Sequence, residues 1–463
     1  MGCFTIMSYI AELKNKNILI IGAGTTGKSV ARYLENIGAR FQIIDEKAAT
    51  LDGAEILNNV PEDESFDLAI VSPGWRKDHS IIENLSAKGI EVISEIDFAW
   101  NLKMELNPEQ KWVALTGTNG KTTTVQMLES ILISAGANAI ACGNVGTTVI
   151  EAVTSENKFA ILAIELSSFQ IDWSTLPIYE AVAILNLAED HLDWHGSFSE
   201  YANAKMKLLN QSKLAVLNLN DPEVILRSAG WTGRKVFFGF DTPQSGEIGL
   251  VEELLVDRAF VTASDAAEEI AELNDIKPAV PHNVANAMAA SGLALALGIA
   301  HPVVKKGIAS FKLDKHRLQN VLSKDGIDWV NDSKATNPHA ATAALLSHLS
   351  NIWIAGGLAK GAKMDELISR TNSRIKAAIL IGKDAELIAK ALTKHAPETP
   401  IHRIADNKNP ADLMDEVINC AKNIASAGDT VLLAPACASM DQFSSYAQRG
   451  ELFIDSVSRL VAR

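Results

Sequence analysis

The stretch that most constrains how this chain can fold is KWVALTGTNGKTTT, residues 111–124. Residues 112–115 are apolar and read as a short buried strand. Gly117, Thr118, Asn119, Gly120, Lys121 and Thr122 follow as a compact G-x-x-G-K-T loop, with Thr123 next to it. Val125, Leu128, Leu132 and Ala135 then recur at helical spacing, and Gly136 is placed to end the helix. Strand, glycine loop and helix together form the setting of a phosphate-binding loop. Backbone N–H groups turn inward on the phosphates, and the helix N-terminus adds partial positive charge. Lys121 would reach the β- and γ-phosphates of a nucleoside triphosphate, and the Thr122 hydroxyl a bound Mg²⁺. The plainer alternative is a glycine-rich turn carrying a surface lysine.

A second glycine loop lies nearer the N-terminus. The apolar run 17–21 leads into Gly22-Ala-Gly24-Thr25-Thr26-Gly27, a helical pattern follows, and the strand 41–44 ends at Asp45. This G-x-G-x-x-G unit with an acid beyond its second strand suits a dinucleotide or another nucleotide diphosphate such as a UDP-sugar. The motif alone does not choose between them, and a purely structural turn stays open.

Length decides that these two loops belong to different domains. The 463 residues predict about three domains. Polarity rises near Pro108, which gives the expected division 1–108, 109–313 and 314–463. Alternating strands and helices predict an α/β chain: a Rossmann-like N-terminal domain, a central P-loop ATPase-type domain and a C-terminal Rossmann-like α/β domain. A net charge of −14 argues against a nucleic-acid-coating role. No apolar run approaches the roughly 18–20 residues of a membrane span. Four cysteines (Cys3, Cys142, Cys420, Cys437) show no metal-type spacing, so reduced thiols and a cytoplasmic location are expected.

Other polar clusters follow core strands. Glu165 ends one, where it can bind Mg²⁺ near the phosphate loop or cap the following backbone. His191 lies in the acid- and histidine-rich run after another and can ligate a second metal, whereas His195 reads as a loop residue. Nothing in its spacing singles out Lys205, which reads as a surface lysine. Asn283 and Asn286, three apart, suit either a purine edge or helix capping. Arg317, Lys334 and Lys360 come from separate segments; each alone reads as a surface cation, and together on one sheet edge they would form an anion site.

Taken in order, GTNGKTT, ELSSFQ, EDHLDWHG, HNVANA, NDSKATNP, GGLAKG and PACASMDQF closely resemble the Mur ligases over nearly the whole chain. The resemblance implies that ATP phosphorylates the carboxylate of UDP-N-acetylmuramoyl-L-alanine and that the amine of D-glutamate attacks the acyl phosphate. A paralogue that adds L-alanine is the alternative. It further implies that Thr25, Thr26, Asp45, Ser72 and Gly74 hold the UDP part, with Asn144 and His191 further along the same substrate. Lys121 would act on the transferring phosphate; Thr122 and Glu165 would serve one Mg²⁺, and His191 and Lys205 a second. Lys205 resembles the family's carbamylated lysine. Asn283, Asn286, Arg317 and Asp332 resemble ATP-contacting positions, and Lys334, Thr336, Lys360, Ser439 and Tyr446 those around D-glutamate. Small-molecule substrates, no nucleic acid, no membrane and a monomer are expected.

Overall fold

The computed structural model describes residues 8–46, 50–51, 54–61, 64–263, 265–405 and 409–462; Cys3 lies outside them. Among the described residues, three large sheets organise the chain, beside a two-stranded pair, Thr50–Leu51 with Ala54–Glu55. The first has four parallel strands in the order Arg40–Ile44, Asn17–Ile21, Leu68–Val71, Glu91–Ser94. Ile18, Leu19, Ile20 and Ile21 are all buried, as a parallel strand covered on both faces requires. The helix Thr25–Ile37 leaves the first glycine loop and ends at Gly38, whose φ of 72° lets its N–H reach the Leu34 and Glu35 carbonyls.

The second sheet has nine strands. Lys111–Thr116 lies between Ile161–Glu165 and Ala181–Ile184, parallel to both. From Lys111–Thr116 the chain first runs to one side, through Ala139–Gly143 and Ile161–Glu165, then crosses to Ala181–Ile184 on the other. Such a reversal opens a crevice at the carboxyl ends of the strands. The phosphate loop and Asn186 follow strands at that point, and Glu165 ends one. The loop's helix, Lys121–Ser134, is anchored by Val125, Met127, Leu128, Ile131 and Leu132, each no more than 3% exposed. Burial of such a side chain contributes about 1.5–3 kcal/mol. The helix His301–Ser310 packs so close that a Cβ on Gly307 would lie 2.4 Å from Ile131 Cα, and Ser130 Oγ donates to the Gly307 carbonyl at 2.8 Å.

Residues 241–280 gave little pattern, yet they hold Glu247–Val251, Leu254–Asp257 and Glu268–Glu272, two antiparallel pairings on the sheet's edge. These strands are four or five residues long and their buried residues stand side by side, so no period-2 alternation marks them. The third sheet runs Gln319–Lys324, Ile327–Asn331, Thr430–Leu433, Asn351–Gly356, Ile375–Ile381, Ile401–Arg403, with only the first strand antiparallel. The α/β architecture is therefore as expected. The chain forms two compact units, residues 1–187, 191–276 and 284–311 in one, and 188–190, 277–283 and 312–463 in the other. The first unit holds the first two sheets. No helix among the described residues is long and apolar enough to cross a membrane.

Candidate active site

The phosphate loop is shaped by contacts that exclude side chains. A Cβ on Gly117 would lie 2.9 Å from Leu185 Cβ. Gly120 has φ 84°, and a Cβ there would lie 2.4 Å from Asn286 Oδ1. Asn186 holds the loop from outside: its carbonyl accepts from Thr118 N at 2.9 Å and its Oδ1 from Asn119 N at 2.8 Å. Lys121 Nζ donates to the Gly117 and Thr118 carbonyls, both at 2.9 Å. A cation thus sits within the loop that a polyphosphate would enter. Thr122 and Thr123 are buried in the first helical turn, where backbone N–H groups have no partner within the helix. Asn286 Oδ1 accepts from Thr124 Oγ1 at 3.2 Å, which commits that amide to the loop.

Glu165 is 2% exposed; its Oε1 accepts from Asn144 Nδ2 at 3.2 Å and its Oε2 has no hydrogen-bond partner. A buried carboxylate oxygen left unsatisfied is costly in an apolar setting and suits a cation ligand. Lys205 corrects the surface reading. It is 2% exposed, and its Nζ donates to Thr116 Oγ1 at 3.1 Å and the Gly117 carbonyl at 3.0 Å. The same ammonium lies 4.9 Å from the centre of the Tyr201 ring. Tyr201 and Lys205 share one face of the helix Phe198–Met206, and Tyr201 OH lies 3.0 Å from Thr118 Oγ1. Helical spacing could not tell which face meets the loop.

His191 has φ 51°, a left-handed backbone that side-chain-bearing residues seldom adopt. Its ring packs edge-on to Phe169 at 4.8 Å. His195 is more integrated than a plain loop residue: it stacks on Phe169, and its Nε2 lies 2.9 Å from Ser168 Oγ. Burial pushes its pKa down to about 4, so the ring is neutral near pH 7. Among the described residues, no cluster of three His, Cys, Asp or Glu side chains could hold a metal by itself. A metal here would need hydroxyl, phosphate or modified-lysine oxygens as well.

The first glycine loop is equally tight. Gly22 has φ 101°, and a Cβ on it would lie 2.8 Å from Ser72 Cβ and 2.9 Å from Trp75 Nε1; one on Gly27 would overlap the Gly22 carbonyl at 1.8 Å. Asp45 Oδ2 accepts from Ala23 N at 2.8 Å, and Ser72 Oγ donates to the Gly22 carbonyl at 3.3 Å. Thr25 and Thr26 open a helix whose N-cap, Gly24, supplies no side-chain acceptor, leaving the helix N–H groups for a ligand.

In the second unit, Ile327–Asn331, Thr430–Leu433 and Asn351–Gly356 are neighbours, so the loops after them meet. Leu358 and Ala438 exchange backbone hydrogen bonds at 2.8 and 2.9 Å, and Ala436 N donates to the Ala335 carbonyl at 2.9 Å. Lys334 Nζ donates to Tyr446 OH at 3.2 Å. Thr336 N donates to the Lys334 carbonyl at 2.8 Å, Ser439 is buried, and Lys360 is exposed with φ 49°. Arg449, which sequence reasoning missed, ties these loops together. It is fully buried and donates to Ser333 Oγ and to the Ser333, Gly356 and Cys437 carbonyls at 2.9–3.5 Å. Burial lowers its pKa to about 10, which still leaves it cationic. Nearby, burial raises Asp332 to about 6 against the pull of the Leu318 N–H and Arg317. Arg317 Nε is buried with no hydrogen-bond partner. Asn283 Nδ2 donates to the Pro278 carbonyl at 3.0 Å.

Known proteins match this chain in sequence and in fold. Residues 16–94 match the Mur ligase MurD-like N-terminal domain, 115–294 the Mur ligase middle domain, and 316–437 the Mur ligase glutamate ligase domain. The chain is 43% identical to UDP-N-acetylmuramoylalanine--D-glutamate ligase of Thermobifida fusca, covering 97% of this chain and 99% of that one. It is 41% identical to the enzyme of the same name from Streptomyces coelicolor, covering 98% and 100%. Among solved structures, a pseudomurein peptide ligase type C from Methanothermus fervidus matches with a TM-score of 0.62 at 19% identity, covering 95% and 100%. UDP-N-acetylmuramate-alanine ligase from Thermotoga maritima matches with a TM-score of 0.57 at 16% identity, covering 96% and 99%. These structures share the fold; the full-length relatives carry the family. The chain belongs to the Mur ligase family.

Proposed function

We propose that this ligase joins D-glutamate to UDP-N-acetylmuramoyl-L-alanine at the expense of ATP, in peptidoglycan precursor synthesis. The observation that carries the reading is the juxtaposition at the phosphate loop: Lys121 and buried Lys205 both donate to the Gly117 carbonyl. A carboxylate is a poor electrophile, and its approach to a triphosphate brings anions together. Lys121 at the loop offsets that repulsion, and the buried setting strengthens it; a carbamylated Lys205 would instead be an anion that holds a metal cation there. Lys121 would follow the phosphate as it passes from ATP to the substrate carboxylate, with ADP as the leaving group. The amine of D-glutamate then attacks the acyl phosphate, and the tetrahedral intermediate collapses to amide and inorganic phosphate.

The residues present fit Mg²⁺. Glu165 Oε2 is an unsatisfied buried oxygen, and with Thr122 it would hold one ion. His191 and Lys205 would serve a second once the Lys205 amine carries a carbamate, because an ammonium cannot ligate a cation. Bound Mg²⁺ would supply charge neutralisation at the phosphates. Thr25, Thr26, Asp45, Ser72 and Gly74 are assigned to the UDP end and Asn144 to the sugar-peptide end. Asn283, Asn286, Arg317 and Asp332 are assigned to ATP, and Lys334, Thr336, Lys360, Ser439 and Tyr446 to D-glutamate. The division into domains 1–108, 109–313 and 314–463, a monomeric state and a cytoplasmic location belong to the same reading.

A substrate panel with phosphate detection tests it. Phosphate release should require both UDP-N-acetylmuramoyl-L-alanine and D-glutamate. Release with UDP-N-acetylmuramate and L-alanine instead would identify the alanine-adding paralogue and overturn the proposal.

A further inference from the structure

Beyond the groups assigned so far, one indole bridges the segment after Leu68–Val71 and the loop that carries His191. Trp194 Nε1 donates to the Gly74 carbonyl at 3.1 Å, and the Trp194 carbonyl accepts from Arg76 Nη1 at 2.7 Å. Arg76 is held for this by Asp78, which accepts from its Nε at 2.9 Å and its Nη2 at 2.8 Å, leaving Nη1 for Trp194. Residue 194 is therefore clasped at side chain and backbone by the 72–79 loop, to which Ser72 and Gly74 belong. On its other side the Trp194 ring lies 4.8 Å from Phe169, and Phe169 lies 4.8 Å from His191. That chain of contacts ends on a histidine in the left-handed region, where neighbours must hold the backbone.

We infer that Trp194 is a positioning residue that couples occupancy of the UDP-sugar pocket to the posture of His191. The inference rests on the assignment of residues 22–27 and 72–74 to that pocket. A ligand that orders Gly74 fixes the acceptor of the indole N–H. The clasped ring then restrains Phe169 and, through it, the imidazole. The Trp173 Nε1 bond to the Trp75 carbonyl, 2.8 Å, ties the 72–79 loop to the helix Ser168–Trp173, which carries Phe169, and is separate from the Trp194 clasp. Coupling of this kind is reciprocal, so ions and nucleotide at the phosphate loop should tighten UDP-sugar binding by the factor with which the sugar tightens theirs.

The test is calorimetric titration of UDP-N-acetylmuramoyl-L-alanine into the full-length protein, alone and with Mg²⁺ plus a non-hydrolysable ATP analogue. Trp194→Phe keeps a ring and removes one hydrogen bond, so binding alone should weaken about fivefold. The tightening that Mg²⁺ and the analogue give the unmodified protein should shrink toward unity. Arg76→Leu removes the other half of the clasp from outside the aromatic cluster and should have the same two effects, with thermal unfolding unchanged in both variants. Asp45→Ala separates the possible failures. If it leaves UDP-sugar binding intact, the pocket assignment is wrong. If it weakens binding while Trp194→Phe and Arg76→Leu keep both the affinity and the tightening, the coupling role alone is overturned. A lowered unfolding temperature with the tightening factor retained would likewise reduce Trp194 to a structural residue and overturn it.

Discussion

The two glycine loops of this ligase use one backbone device with opposite electrostatics. Each follows a buried parallel strand, each opens a helix, and each has a glycine in a conformation or space that denies a side chain. Around residues 22–27 the charged group that touches the loop is an acid, Asp45, accepting from Ala23 N. Around residues 117–122 it is a pair of lysines donating to loop carbonyls. Helix N-termini attract phosphate in both places, and the second loop adds lysine side chains held against its carbonyls. On the proposed function, the first loop would hold its phosphates and the second would act on one.

Removing the lysines breaks the comparison most severely. Lys121→Ala should lower phosphate release by about 10²–10³-fold, the usual loss for a fixed transition-state charge, with UDP-substrate binding by calorimetry unchanged. If binding and turnover fall together, the division of labour is wrong. Lys205→Ala should cost on the order of a hundredfold, and short carboxylic acids should restore part of the rate by replacing the carbamate. Near-normal turnover without them would remove Lys205 from the site.

The first loop should respond in the opposite sense. Gly27→Ala places a Cβ 1.8 Å from the Gly22 carbonyl, so the strand–helix turn must open. KM for the UDP substrate should rise by about tenfold or more while KM for ATP stays put. Asp45→Asn, which keeps an acceptor and loses charge, should raise the same KM only several-fold; a larger effect on ATP would contradict the assignment.

The smallest effect concerns the seam between the segments bearing the two loops. Glu95, from the first, is buried and accepts from Gln170 Nε2, from the second, at 3.1 Å. Burial raises its pKa from the ordinary 4.5 to about 7. The folded chain therefore keeps a proton that the unfolded chain has released, and this contribution to stability is lost as pH rises from about 4.5 through 7. Thermal unfolding at pH 5 and pH 8 should show a smaller difference for Glu95→Gln than for the unmodified protein. An identical difference would remove Glu95 as its cause.

Much of this is legible in the sequence. The strands before both glycine loops, the helix ended by Gly136, and Glu165 at a strand end follow from apolar runs and punctuation that local physics enforces. Lys205 was not legible. A lysine in a helix is exposed or buried according to which face the helix turns inward, and here that face meets the Gly117 carbonyl. The edge strands at 247–272 are hidden in the sequence because each is short and its buried residues are adjacent rather than alternating. Arg449 carries no motif of its own; its part appears only once the loops after three neighbouring strands converge on one guanidinium.

Local sequence is enough for the α/β class, the two glycine loops and the order of the motifs, because glycine, proline and apolar period act over a few residues. Only the tertiary structure decided the charge around each loop. It buried Lys205 beside Thr116, set Asp45 against Ala23, clasped Trp194 to Gly74 and gathered three loops on Arg449. Electrostatic roles depend on distance and desolvation between residues far apart in the chain, and neither is written in local spacing.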